Sequence, residues 1–231
     1  MIDNSLIILQ DAATKLRELI NSVVFVGGAT LGLHISDTGA APPRATLDVD
    51  VIAEITNYVD YVAFSDCLRP LGFREDDREG APTCRWLHGD LILDVMPLNR
   101  EVLGFANRWY RGALETSQSV TLPNGMSIQM ISAPYFLGTK IEAFRNRGEH
   151  DFYESRDLED FVAVIDGRGS LLDEIASTPS ELRSYLAEAV RELLSESRFM
   201  DALPGYLLPD EISQQRITGI LRKLSIISER V

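Results

Sequence analysis

The feature that most constrains the fold is a run of β-branched and aromatic residues, VVFV at positions 23–26, which ends in the pair Gly27-Gly28. Such side chains favour strands, and glycine permits backbone conformations and close approaches that other residues resist. We interpret the segment that follows, ATLGLHIS, as a helix. The pattern therefore predicts a strand, a tight glycine turn and a helix in immediate succession.

Two aspartates lie in the next strand-like segment, TLDVDVIAE at positions 46–54. Its residues alternate at period two, so Asp48 and Asp50 project from the same face of a strand. Two neighbouring carboxylates repel each other unless a cation lies close to both. The spacing therefore predicts that Asp48 and Asp50 bridge a pair of magnesium ions, whose preferred ligands are oxygens.

A third aspartate, Asp94, interrupts the apolar run LILDVMPL at positions 91–98. This run and the preceding CRWLHGD are predicted to be antiparallel strands joined by a turn at Gly89-Asp90. An ionisable residue in a buried strand is costly unless it has an ionic or functional partner. We predict that Asp94 is the third metal ligand.

The fold class predicted from these patterns is α+β, with a small mixed α/β sheet and helices followed by a helical C-terminal lobe. An amphipathic helix is expected at 5–21, and strand patterns extend to a segment at 126–132. The predicted domains are residues 1–132 and 133–231. The helices expected in the second domain lie at 134–148, 155–166, 180–197 and 210–228.

The segments FVGGATLGLHIS, TLDVDV and LILDVMPL together resemble the GG…DxD…D signature of the nucleotidyltransferase superfamily that includes DNA polymerase beta. This match covers residues 23–98. Downstream, APYFLGTKIEAFRNRG and SRDLEDF resemble the helical part of AbiEii/AbiGii-type nucleotidyltransferases, many of which are toxins of bacterial toxin–antitoxin systems. The resemblance implies an enzyme that transfers a nucleoside monophosphate (NMP) from an NTP to an acceptor hydroxyl and releases pyrophosphate.

The resemblance also assigns roles to residues of the first domain. Asp48 and Asp50 would hold two Mg²⁺ or Mn²⁺ ions, and Asp94 would act as a base or as a shared metal ligand. The backbone N–H groups of Gly27 and Gly28 would contact the β- and γ-phosphates. These five residues are the core of the predicted site.

Four residues of the second domain complete the nucleotide site that the resemblance implies. Lys140 and Arg147 lie one heptad apart on one helical face, and Asp157 and Asp160 stand at the head of the next helix. Lys140 would contact the triphosphate, while Arg147 and Asp157 would brace it.

One position departs from the pattern of the resembled family. The family usually has a basic or polar residue two positions before the first aspartate, where this chain has Thr46, with Arg44 further back. Which residue supplements the glycine turn is left open.

The acceptor has two interpretations. The toxin-like resemblance implies the 3′ end of a tRNA, with an antitoxin protein as a further partner. The formal charge of −13 suits a small cationic antibiotic or metabolite better, because nucleic-acid binding needs a local basic patch. A third hypothesis is a catalytically idle NTP-binding interaction module. Positive charge and aromatic residues coincide in one stretch, formed by Arg100, Arg108, Trp109, Tyr110 and Arg111.

The cellular location is also predicted from the sequence. The first residues, MIDNSLIILQDAATKLREL, mix acidic and apolar side chains and lack the basic leader and apolar run of a signal peptide. No run approaches the roughly 18 apolar residues typical of a membrane span. We therefore expect a cytoplasmic protein.

Overall fold

The structure is a computed structural model that describes residues 4–146 and 151–229. The chain divides into two compact units, Met1–Gly32 with Arg44–Ser132 and Leu33–Pro43 with Ala133–Val231. All described strands belong to the first unit, and the second unit is helical. The predicted fold class is confirmed, because a mixed sheet with helices is followed by a helical region.

The strands of the described residues form a seven-stranded mixed sheet in the order β3-β4-β5-β2-β1-β7-β6. Strand β1 is antiparallel to β2 and parallel to β7, while β2 is parallel to β5. The predicted β4–β5 hairpin is antiparallel, as expected. The bounds are β1 Val23–Val26, β2 Asp48–Ala53, β3 Arg74–Glu75, β4 Arg85–His88, β5 Leu91–Met96, β6 Gln118–Thr121 and β7 Ser127–Met130.

The helices that begin in the first unit are mostly short. Helix α1 has buried apolar residues at helical spacing, including Leu9, Ala13 and Leu16, and contacts β2 and β5. A 3₁₀ helix, Arg17–Ser22, replaces the last turns of the predicted helix at 5–21. The bounds are α1 Asn4–Leu16, α2 Leu31–His34, α3 Tyr58–Leu68, α4 Arg100–Leu103 and α5 Tyr110–Glu115.

The second unit buries the apolar faces of its longer helices against one another. Helix α6 packs on α7 and α9, and α12 packs on α9 and α7. Fully buried side chains such as Phe136, Phe161 and Leu224 form its core. The bounds are α6 Ala133–Asn146, α7 Arg156–Gly167, α8 Leu171–Ala176, α9 Ser180–Ser195, α10 Ser197–Ala202, α11 Glu211–Gln215 and α12 Ile217–Ser228. The helix predicted at 210–228 is therefore two helices.

The segment Leu33–Pro43 belongs to the helical unit although it follows the glycine turn in the chain. The backbone N–H groups of Ser36 and Asp37 both donate to the carbonyl of Gly167, at 2.9 Å each. Arg216 donates to Asp37 at 2.7 Å. A Cβ atom on Gly167 would lie 2.7 Å from Cγ2 of Ile35. Glycine is therefore required where the segment Leu33–Pro43 packs against the end of α7.

The imidazole ring of His34 is buried in the second unit. Its ring lies 4.7 Å from the ring of Phe136, and among the described residues neither ring nitrogen has a hydrogen-bond partner. Burial, with a smaller contribution from the charge of Arg168, lowers the pKa of His34 from 6.5 to about 3. The folded protein therefore holds this ring neutral.

The buried His34 predicts a loss of stability in mild acid. The unfolded chain takes up a proton below pH 6.5 and the folded chain does not, so stability is complete above pH 6.5 and falls towards pH 3. Between pH 7 and pH 5 this group should remove about 2 kcal/mol from the free energy of unfolding. Urea unfolding at both pH values should show a smaller pH dependence in His34→Phe. Equal pH dependence in the two proteins would contradict the prediction.

Candidate active site

The glycine turn joins the buried strand β1 to a short helical segment. Gly27 has φ +70° and ψ −168°, a backbone conformation that residues other than glycine rarely adopt. Its carbonyl accepts hydrogen bonds from the backbone N–H and the hydroxyl of Thr30. A 3₁₀ turn, Gly28–Thr30, and the four-residue helix α2 follow. Because these elements are so short, the turn presents backbone N–H groups but not the macrodipole of a long helix.

Gly27 also makes room for a carboxylate. A Cβ atom on Gly27 would lie 1.9 Å from Oδ2 of Asp50, and the strand register pairs Val26 with Asp50. Such a distance is far inside van der Waals contact. The glycine turn and the second aspartate of the DVD segment are therefore in direct contact.

Replacing Gly27 by alanine should cost about 2 to 3 kcal/mol of stability, because the backbone strain and the collision with Asp50 act together. Gly125→Ala is the matched control, since Gly125 also has positive φ (+84°) but a Cβ atom added there would meet nothing within 4 Å. Chemical denaturation should show the larger loss for Gly27→Ala. Equal losses would mean that the contact with Asp50 adds nothing to the strain.

Arg44 lies beside the second glycine of the turn, a position that the sequence left undecided. A Cβ atom on Gly28 would lie 3.0 Å from Nη2 of Arg44 and 3.6 Å from Oγ1 of Thr46. The backbone carbonyl of Arg44 accepts a hydrogen bond from Ser5 in α1. Arg44 is therefore the basic residue next to the glycine turn, although it stands outside the expected motif position.

Three aspartates share one face at the centre of the sheet. Asp48 and Asp50 alternate with the fully buried Val49 and Val51, as the period-two pattern predicted. In the parallel pair β2–β5, Asp50 stands directly opposite Asp94. Directly paired residues of neighbouring strands point to the same face, so the register brings the three carboxyl groups to one area.

Arg85 in β4 contacts two of these carboxylates and was not singled out by the sequence. It stands opposite Asp94 in the antiparallel pair β4–β5. Its Nε and Nη2 donate to the two oxygens of Asp94 at 2.8 and 2.7 Å, and Nη2 lies 3.5 Å from Oδ2 of Asp48. The hydrogen bonds to Asp94 raise the pKa of Arg85, despite partial burial. Arg85 is therefore a permanent cation within the aspartate group.

Thr46 and Cys84 are further neighbours of the aspartates. Asp48 accepts a hydrogen bond from the Thr46 hydroxyl at 2.7 Å. Burial, followed by the charges of Asp94 and Asp50, raises the pKa of the Cys84 thiol to about 12. Cys84 thus remains a neutral neighbour of the carboxylates at physiological pH.

The aspartates fit a metal ion only in part. Asp48 and Asp50 present carboxylate oxygens on one face, the donor type that Mg²⁺ and Mn²⁺ prefer. Asp94 uses both oxygens for Arg85. Within residues 4–146 and 151–229, no group of three or more His, Cys, Asp or Glu side chains is arranged to hold a metal ion.

Lys140 lies in the second unit, within a buried ionic cluster between α6 and α7. Its Nζ is 2.6 Å from Asp160 Oδ2 and 3.3 Å from Asp157 Oδ1, and all three side chains are buried. The ammonium also lies 5.5 Å from the ring centre of Phe136. The cluster links the two helices. Its predicted contact with nucleotide remains a prediction.

Arg147, the other basic residue predicted for the nucleotide site, lies outside the described residues. The head of α7 is defined more fully. Ser155 caps this helix by accepting a hydrogen bond from the backbone N–H of Leu158. This cap brings Asp157 and Asp160 into the first turns, where acidic side chains are favoured.

The basic and aromatic stretch around Trp109 does not present a stacking surface through that ring. Trp109 is only 5% exposed, and the Arg108 guanidinium lies 5.0 Å from a Trp109 ring centre. Base stacking requires an accessible aromatic face. Trp109 therefore belongs to the core of the first unit.

A cavity of about 320 Å³ lies in the helical unit, and its described lining residues include none of the predicted site residues. Its charged lining residues pair with each other, Arg145 with Glu192 and Arg198 with Glu196. Among the lining residues that the structure describes, these pairs leave no net charge to select a ligand. Its apolar lining consists of Ile141, Phe144, Phe152, Ala189 and Leu193.

No protein-family model and no curated protein matches the chain. Its fold is similar to that of an antigenic nucleotidyltransferase-like protein from Paracoccidioides brasiliensis, with a TM-score of 0.51 and 19% identity over 87% of this chain and 93% of that one. The antibiotic-resistance factor ANT(2'')-Ia gives a TM-score of 0.49 and 13% identity, over 84% of this chain and 100% of that one. The chain therefore has a nucleotidyltransferase-like fold.

The described part of the chain contains no helix with the length and apolar character needed to cross a membrane.

Proposed function

We propose that this protein binds an NTP and transfers its NMP group to an acceptor hydroxyl. The observation that carries the proposal is the contact of Gly27 with Asp50, because it joins the glycine turn to a sheet face that also bears Asp48 and Asp94. Phosphoryl-group transfer needs backbone donors for the phosphates next to carboxylates for a cation. The nucleotidyltransferase-like fold is consistent with this chemistry.

Each site residue of the first unit has a proposed role. Asp48 and Asp50 hold Mg²⁺ or Mn²⁺, which when bound stabilises the charge on the phosphates and lowers the pKa of the acceptor hydroxyl. The N–H groups of Gly27 and Gly28, with the guanidinium of Arg44 close by, bind the triphosphate. Asp94 fixes Arg85 beside Asp48.

The reaction follows from these positions. The acceptor oxygen forms a bond to the α-phosphorus, and the bond between that phosphorus and the bridging oxygen to the β-phosphorus breaks. Pyrophosphate leaves with the electron pair of the broken bond, and the hydroxyl proton is released to water. The main contribution of the protein is to hold the reactants in line and to stabilise charge.

Two acceptors are proposed. The resemblance to toxin nucleotidyltransferases supports the 3′ end of tRNA, and an antitoxin would then be a partner. The net charge of −13 supports a small cationic acceptor, because the average surface attracts cations and repels a phosphate backbone.

Incubation of the purified protein with each α-³²P-labelled NTP and Mg²⁺ tests both acceptors. One series contains total tRNA, a second contains aminoglycosides and polyamino alcohols, and a third contains no acceptor. Label on one acceptor class that is lost in Asp48→Asn/Asp50→Asn would support the proposal and identify the class. If no series gave label while NTP binding persisted, the protein would be an idle nucleotide-binding module.

A further inference from the structure

The aspartate face already contains a cation. Arg85 and Asp94 make two parallel hydrogen bonds, and their side chains are only 21% and 7% exposed. The same guanidinium lies 3.5 Å from Asp48. Bidentate pairs of this kind combine charge with a fixed geometry that a lysine cannot reproduce.

A guanidinium and a divalent cation are alternative ways to neutralise a carboxylate. Coordination of a metal by Asp94 would require at least one of its oxygens to give up a hydrogen bond at 2.7 or 2.8 Å. A second metal ion at Asp94 would therefore compete with the guanidinium of Arg85 for the same carboxylate.

Building on the proposed function, we propose that Arg85 takes the place of the second metal ion. The site then binds one divalent cation, at Asp48 and Asp50, and the guanidinium of Arg85 supplies the other positive charge. Arg85 is a positioning residue that acts through Asp94 and Asp48. This arrangement departs from the pair of ions that the sequence led us to expect.

Titration with Mn²⁺, followed by the electron paramagnetic resonance signal of the free ion, tests the proposal without an acceptor or turnover. The wild-type protein should bind one equivalent, and Arg85→Gln should bind two. Arg85→Lys keeps the charge and should bind one. Arg78→Gln is the matched control, because Arg78 lies in the same unit, is 65% exposed and pairs with Asp76. It should bind one equivalent, as the wild type does.

Loss of Arg85 removes the partner of a buried carboxylate, so the fold of each variant must be checked by thermal unfolding. Arg85→Gln should melt at a lower temperature than the wild type, and saturating Mn²⁺ should raise its melting temperature more than that of the wild type. Arg85→Gln/Asp94→Asn removes both partners. It should recover most of the melting temperature and bind one equivalent, which ties the second ion to Asp94.

The outcomes separate this inference from the function on which it rests. Two equivalents in the wild type, or one in a folded Arg85→Gln, would overturn the role of Arg85 while leaving metal binding at Asp48 and Asp50 intact. In that case Asp48→Asn/Asp50→Asn would still lose the first equivalent. No binding in any variant would overturn both the inference and the proposed metal site.

Discussion

Replacement of Asp48 by asparagine is expected to lower NMP transfer by about a thousandfold while leaving the fold intact. Asparagine has nearly the same shape and can still accept the hydrogen bond from Thr46 at the carboxylate position. It lacks the charge that we propose holds a divalent cation. The side chain of Asp48 is 37% exposed and has carboxylate neighbours, so its neutralisation should change the free energy of unfolding by less than about 1 kcal/mol.

The rate of label transfer and urea unfolding, measured on the same preparations, check this result. Asp77→Asn is the control, because Asp77 is an exposed aspartate of the same unit and the substitution makes the same change in charge. Asp77→Asn should keep full activity. Retained transfer in Asp48→Asn, or a loss of activity explained by unfolding, would refute the assignment.

Replacement of Lys140 by methionine should lower the free energy of unfolding by about 3 kcal/mol or more, as the loss of one partner of a buried ion pair does. Methionine nearly preserves the volume of the lysine stem. It removes the ammonium that lies 2.6 Å from Asp160 and 3.3 Å from Asp157. Lys140, Asp157 and Asp160 are all buried, so water cannot compensate the two carboxylates for the lost ammonium.

The size of this effect can be separated from the general cost of losing a lysine. Lys15→Met breaks an i,i+4 pair with Asp11, which is 45% exposed, and should cost less than about 1 kcal/mol. Lys140→Met/Asp160→Asn should recover part of the loss, because a smaller uncompensated charge remains buried. If urea unfolding gave similar midpoints for Lys140→Met and Lys15→Met, the ion cluster would contribute little to stability.

The sequence predicted the elements of the site but not all of their contacts. The strand at 23–26, the alternation around Asp48 and Asp50 and the hairpin that carries Asp94 all depend on local patterns of period two and on glycine turns. Those patterns act over a few residues, and the structure confirms them. The expected helix after Gly28 is shorter than predicted, since the segment begins as a 3₁₀ turn.

The contacts that the sequence analysis missed depend on register and on distant packing. Arg85 reaches Asp94 only because β4 and β5 pair with these two residues opposite each other. Arg44 comes beside Gly28 through a loop whose path has no periodic signal. The two-residue strand β3 is too short to produce a pattern. A strand-register argument applied to the predicted β4–β5 hairpin could have found Arg85, since the turn at Gly89-Asp90 fixes which residues face each other.

The attachment of Leu33–Pro43 to the helical unit makes the two units inseparable by a single cut in the chain. A fragment beginning at Ala133 would lack the segment Leu33–Pro43, whose backbone N–H groups donate to Gly167 and whose Asp37 pairs with Arg216. A fragment ending at Ser132 would carry this segment without the helices that it contacts. Exchange of a whole unit between related chains would therefore have to transfer two separate stretches of sequence at once.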